Sequence, residues 1–256
     1  MNFLKIELFK TIRRKEYKFA LIIMTVIPLI FGLLLLKENS FLIVSGKREL
    51  GAYQFAVFIF SFMKVSFFLY LMVILMASNV FSKEISDGTI NLLIVRSPSR
   101  SKVFISKVVS QFIIVNSFIL IIILASLLSY FIFVKRGPFS STEIFSTHIY
   151  EDVYFLLISL LDLFVVSCIA VFMSIYFGNI KVILFSLSSV ILLKVVERFP
   201  YFDTFLPTSI GDGAKIYDIT SNKHLYSFKS MGLLLIYSLL LIILAIFIFN
   251  RKDIRN

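Results

Sequence analysis

The sequence predicts an all-α integral membrane protein: a bundle of six transmembrane helices with an N-terminal interfacial helix and a short helix in one cytoplasmic loop. Three observations predict it. Hydrophobic residues make up 59% of the 256 and charged residues 16%, with a mean hydropathy of +0.96, whereas a soluble domain is roughly 45–50% apolar and about 25% charged. Six stretches are each apolar enough to cross a hydrocarbon layer, and Lys and Arg gather in alternate loops between them.

Residues 1–18 read as an amphipathic helix lying in the inner interface. Leu8, Phe9 and Ile12 fall loosely on one side and Lys10, Arg14 and Lys18 on the other, with Lys5 and Arg13 interrupting the apolar side. Residues 19–249 hold the spans. A crossing needs roughly 20 apolar residues at about 1.5 Å each, and the chain offers Phe19–Leu36, Tyr53–Phe81, Val108–Val134, Val153–Phe177, Val182–Val196 and Met231–Phe249. The first is retained and not cleaved as a signal. Its apolar run is longer than a signal core, and Lys37-Glu38-Asn39-Ser40 has no small-x-small pattern. Pro28 and Gly32 predict a bend in it. The second is overlong, so it tilts strongly or begins as an interfacial segment. Ala170, Ser174 and Gly178 give the fourth a small-residue face for close packing, within the bundle or between subunits. The fifth is short, carries Ser186, Ser188 and Ser189, and reaches full length by extending the Lys194 ammonium to the interface. Residues 197–229 form an extracellular or re-entrant segment, with Phe199, Tyr201, Phe202, Phe205 and Leu206 as its apolar residues. Residues 250–256 form a cytoplasmic tail.

Charge sets the orientation. With the N-terminus inside, the inner segments (1–18, 82–107, 178–181 and 250–256) hold 15 Lys and Arg against five acids, while the outer segments hold nine of each. The expected location is the cell membrane, multi-pass, with both termini cytoplasmic. Loops drawn to anionic lipid headgroups account for the net +11 without nucleic acid. Cys168 is the only cysteine and lies within the fourth span, which excludes an intramolecular disulfide.

Catalytic patterns are missing from the sequence. His148 and His224 belong to no H-x-x-x-H or H-E-x-x-H arrangement for a metal. No G-x-x-x-x-G-K-[ST] loop is present to cradle phosphates, so the chain reads as a non-enzyme without a bound cofactor or metal. Few charges sit at depth, where each costs at least about 2.5–3.5 kcal/mol. Asp162 lies nine residues into the fourth span, with Ser159 one turn earlier. Lys64 lies within the second span. Asp162 therefore either makes a packing contact to Lys64 or Lys194, or lines a substrate path with them.

The 82–107 loop carries the most information. Ser97 suits an N-cap with Pro98 at the first helical position, which starts the third helix before the membrane. Gly88 suits the end of a short helix beginning near Ser82. Ile85, Ile90, Leu92 and Leu93 are apolar among the charges, which an ordinary solvated loop does not require.

This loop resembles that of the membrane subunits of ABC-2 type exporters. There an acid is followed four residues on by Gly-Thr, then a leucine-rich turn, then Pro-x-Arg and a lysine. Glu84, Gly88-Thr89, Leu92-Leu93, Pro98 with Arg100, and Lys107 stand in that order. The six-span architecture extends the likeness along the chain, with motif agreement confined to residues 81–107. The resemblance implies that Ser82–Thr89 is a coupling helix seated in a groove of a separate ATPase. Glu84, Ile85, Asp87, Gly88, Thr89 and Arg100 would form the coupling interface. It further implies two ATPase copies that bind ATP and Mg, and a second permease chain, identical or related. Short outer loops resemble members that export or expel antimicrobial and toxin peptides. Lipid, glycan, drug or sodium are the other cargoes, and an ion-coupled secondary transporter or a non-transporting immunity or sensor protein are the other classes.

Overall fold

The computed structural model describes residues 3–36, 51–90, 95, 99–137, 149–199, 205–213, 215–218 and 223–251. Among these, the regular structure is helical. The elements are α1 (Phe3–Arg13), α2 (Lys15–Leu34), α3 (Ala52–Val65), α4 (Phe68–Ser86), α5 (Arg100–Ile132), α6 (Ile149–Ser174), α7 (Asn179–Val196), α8 (Pro207–Ile210), α9 (Lys215–Asp218) and α10 (Lys223–Arg251). Six of them, α2, α4, α5, α6, α7 and α10, are long and apolar enough to cross a membrane. The chain thus has the architecture of a multi-pass membrane protein.

Two helices form the axis of the bundle. The apolar windows of α4 and α6 are 72% and 67% buried, whereas those of α7 and α10 are only 17% and 22% buried and present their side chains outward. The exposed face of α10 comprises Leu235, Ile236, Leu239, Ile243 and Phe247, and suits hydrocarbon rather than water. α2 packs on α5, α10 on α6, and α7 on α4 and α6.

Three expectations change. The overlong second stretch is not one helix. It breaks at Phe67, whose backbone is left-handed (φ 60°, ψ 3°), into α3 and α4. α3, at 14 residues, spans only about 21 Å at the helical rise. Non-glycine residues pay steric strain in this conformation, so the surroundings must hold the break in place. The second change concerns the cap of α5. Its first residue is Arg100, capped by Ser99, whose Oγ accepts from the Lys102 N–H at 3.4 Å. The expected cap, Ser97-Pro98, lies outside the described residues, as does Leu92-Leu93.

The third change is at the end of α4. Ser82–Ser86 is not a separate short helix but the last turn and a half of α4. Gly88 does follow a helix end, with φ +68° and none of the described residues within 4 Å of where a Cβ would stand, so its conformation favours glycine there.

The N-terminal helix α1 is separated from α2 by an extended Arg14. Its buried residues are Glu7 and Thr11, while Phe9 and Ile12 are exposed. A polar face therefore turns inward, against α5. In α2, Pro28 and Gly32 serve the contact with α5: Ser129 Oγ donates to the Pro28 carbonyl at 2.7 Å, and a Cβ on Gly32 would lie 2.1 Å from that same Oγ. Ala170 and Ser174 are buried within the bundle, which gives these small residues an intramolecular packing role.

Candidate functional site

Asp162 lies halfway along α6 and is fully buried. Its Oδ2 sits 3.0 Å from the Lys64 ammonium and accepts a 2.6 Å hydrogen bond from the Tyr70 hydroxyl. Lys64 comes from the last turn of α3 and Tyr70 from the first turn of α4. The break at Phe67 thus brings two side chains from one apolar stretch to one carboxylate oxygen. Helix electrostatics fit this placement, since a helix C-terminus favours a cation and an N-terminus an anion.

Lys64 makes two more bonds, donating to Ser159 Oγ at 3.1 Å and to the Gly211 carbonyl at 2.6 Å. Gly211 directly follows the short helix α8, in which Thr208, Ser209 and Ile210 are buried. Its approach is close: a Cβ there would lie 2.4 Å from Asp162 Cγ and 2.6 Å from Asp162 Cβ. Gly211→Ala is therefore expected to cost about 1–3 kcal/mol by overpacking, read as a lower unfolding midpoint of the detergent-solubilised protein. Gly232→Ala, where nothing lies within 4 Å, is the control and should leave the midpoint unchanged or raised.

A cavity of about 320 Å³ adjoins the pair, lined by Lys64, Tyr70, Lys194, Glu197, Arg198 and Asp212 among others. Lys194 pairs with Glu197 at 3.2 Å rather than with Asp162. Among the described residues, two buried carboxylate oxygens have no hydrogen-bond partner, Asp162 Oδ1 and Glu197 Oε2. The first turn of α6 carries Glu151, which pairs with Lys223 at 2.8 Å, and Asp152, which accepts from Tyr217. Burial, and then that bond to Asp152, push the Tyr217 hydroxyl well above its ordinary range.

A second polar cluster joins α1, α4 and α5. Lys107 is fully buried, 2.8 Å from Glu7 and 2.5 Å from Glu84. The other oxygen of Glu84 meets Lys10 at 2.6 Å and Arg14 at 2.5 Å. Arg14 also donates to the Asn79 carbonyl at 2.6 Å. Five charged groups thereby tie three helices.

Of the residues expected to meet a partner, Glu84 is 3% exposed and engaged within the chain. Ile85 and Arg100 are half-buried, while Asp87 and Thr89 are exposed, as are Lys83 and Ser86. Of the intramembrane candidates, Lys64 and Asp162 come together, and Lys194 lines the same cavity as Lys64. Sequence reasoning missed Tyr70, Gly211, Glu7 and the buried role of Lys107. A tyrosine among phenylalanines was the available signal for Tyr70, because a buried hydroxyl needs a partner. Among the described residues no cluster of His, Cys, Asp and Glu fits a metal ion.

No curated protein and no solved structure matches the chain. A family model does match, over residues 21–255, a stretch that includes Lys64, Asp162, Glu84 and Lys107. The chain belongs to that family, whose description is "Protein of unknown function (DUF2705)".

Proposed function

We propose that the chain is the membrane-spanning permease subunit of an ATP-driven exporter of the ABC-2 type. It lies in the cell membrane with both termini cytoplasmic, works with a second permease chain and two copies of a separate ATPase, and carries amphipathic peptides of the antimicrobial or toxin kind. ATP and Mg belong to the ATPase.

The observation that carries this reading is the ionic cluster on Glu84 and Lys107. A segment pushed by a partner transmits force only if it is joined stiffly to the bundle. Glu84 joins the end of α4 to α1 through Lys10, to the α1–α2 junction through Arg14, and to α5 through Lys107. In this role Glu84 is a positioning residue, and the contact surface is formed by the exposed Lys83, Ser86, Asp87 and Thr89. The resemblance in the 81–107 loop supplies the kind of partner. The outward apolar side of α1, Phe9 and Ile12, suits an interfacial helix lying against lipid.

The test is purification of the tagged protein from its native membrane. An ATP-binding chain is expected to accompany it, and Asp87→Arg is expected to lower its recovery about tenfold, the loss of roughly 1.4 kcal/mol of contact energy, without altering the elution profile of the permease. Inverted vesicles should accumulate a fluorescent amphipathic peptide only with ATP. Absence of an ATP-binding chain, with uptake indifferent to ATP, would overturn the reading. An ion-coupled secondary transporter is the second reading, favoured by the Lys64–Asp162 pair at a helix break. Uptake driven by an ion gradient alone would select it.

A further inference from the structure

We propose that the oxygens around Asp162 form a site for an ammonium-sized monovalent cation, held in this structure by the Lys64 ammonium, and that an incoming cation displaces Lys64 toward Glu197.

The cage is defined by what Lys64 touches. Its Nζ lies within hydrogen-bond distance of Asp162 Oδ2, Ser159 Oγ and the Gly211 carbonyl, at 2.6–3.1 Å. These are one anionic and two neutral oxygens from two elements, in a buried setting. Oxygens at that spacing suit an ammonium group or a potassium ion better than the smaller sodium ion. The cage also has spare capacity, because Asp162 Oδ1 is buried with no partner among the described residues.

Exchange needs a route and a second place for the displaced ammonium. Lys64 and Glu197 both line the 320 Å³ cavity. Beside the oxygen that meets Lys194, Glu197 offers a buried Oε2 that has no partner among the described residues. Lys64 sits at the end of α3, one residue before Val65 and three before the left-handed Phe67, and is the side chain on which the exchange turns. When it leaves the cage it also leaves the Gly211 carbonyl, so cation entry would loosen the 205–213 segment. Chemically, the entering cation is either a primary amine of a cargo molecule or a free potassium ion. The site requires no ATPase, so it stands or falls separately from the exporter reading.

Lys64→Met leaves the cage without its resident cation. In detergent, methylammonium and potassium chloride are expected to raise the thermal midpoint of this variant by several degrees, sodium chloride less, and choline chloride at equal ionic strength not at all. A response to methylammonium without potassium would assign the site to an amine, and the reverse to the ion. Lys64→Met/Asp162→Asn should respond to neither. Equal effects of choline and methylammonium, or an undiminished response in the double variant, would overturn the site. So would a Lys64→Met protein that cannot be recovered in any of these salts while the double variant can. In the wild type, methylammonium but not choline is expected to speed amide exchange across 205–213 by about tenfold, as opening of that segment becomes easier. Unchanged exchange would overturn the displacement of Lys64, whatever the variants do.

Discussion

Lys107→Met is expected to lower stability by about 3–5 kcal/mol, the usual result of removing one partner from a buried ion pair. The methionine retains most of the side-chain volume, so the loss isolates the charge. Glu7, 3% exposed, is left without its ammonium, and Glu84 keeps only the bonds on its other oxygen, to Lys10 and Arg14. Thermal unfolding followed by size-exclusion of the detergent-solubilised protein measures the effect. Lys107→Met/Glu7→Gln should recover part of the loss, since it neutralises the stranded carboxylate. Lys83→Met is the contrast. Its side chain is 48% exposed and 3.7 Å from Glu16, so its removal should cost no more than about 1 kcal/mol. Similar losses for Lys83 and Lys107 would show that the buried cluster does not join the helices as its distances suggest.

The spans were legible because they depend on composition over some twenty residues, and hydrocarbon imposes that composition on each of them. The break at Phe67 was not. No glycine or proline marks it in Phe62-Met63-Lys64-Val65-Ser66-Phe67-Phe68, and no residue there is a helix breaker on local propensity. What holds it is tertiary: Lys64 and Tyr70 both reach Asp162, more than ninety positions away. In α1 the two-sided character is legible, but the use of its polar side is not. At a membrane surface that side can face water or the protein, and here Glu7 and Thr11 face the protein. Glu7 and Lys107 were visible as charges, yet nothing local indicates that residues 100 positions apart are paired. Asp162 was legible as a single acid at depth, and Lys64 as one of its two weighed partners.

Asp162→Asn is expected to cost up to about 3–5 kcal/mol, because Lys64 loses the anion that offsets its burial. Asparagine keeps the shape against which Gly211 packs, so the change is one of charge. Lys64→Met/Asp162→Asn should recover most of the loss, as removing both charges from a buried pair is often near neutral. The instructive variant adds Glu197→Gln. If Lys64 swings across the cavity when Asp162 no longer holds it, Glu197 partly rescues Asp162→Asn. Asp162→Asn/Glu197→Gln then costs more than the sum of its parts by about 1 kcal/mol or more. Thermal midpoints of the four proteins measure that coupling. Strict additivity would confine Lys64 to Asp162 and make the pair a fixed packing contact. Coupling would give Lys64 two positions, and a buried cation with two positions beside a broken helix is a moving part.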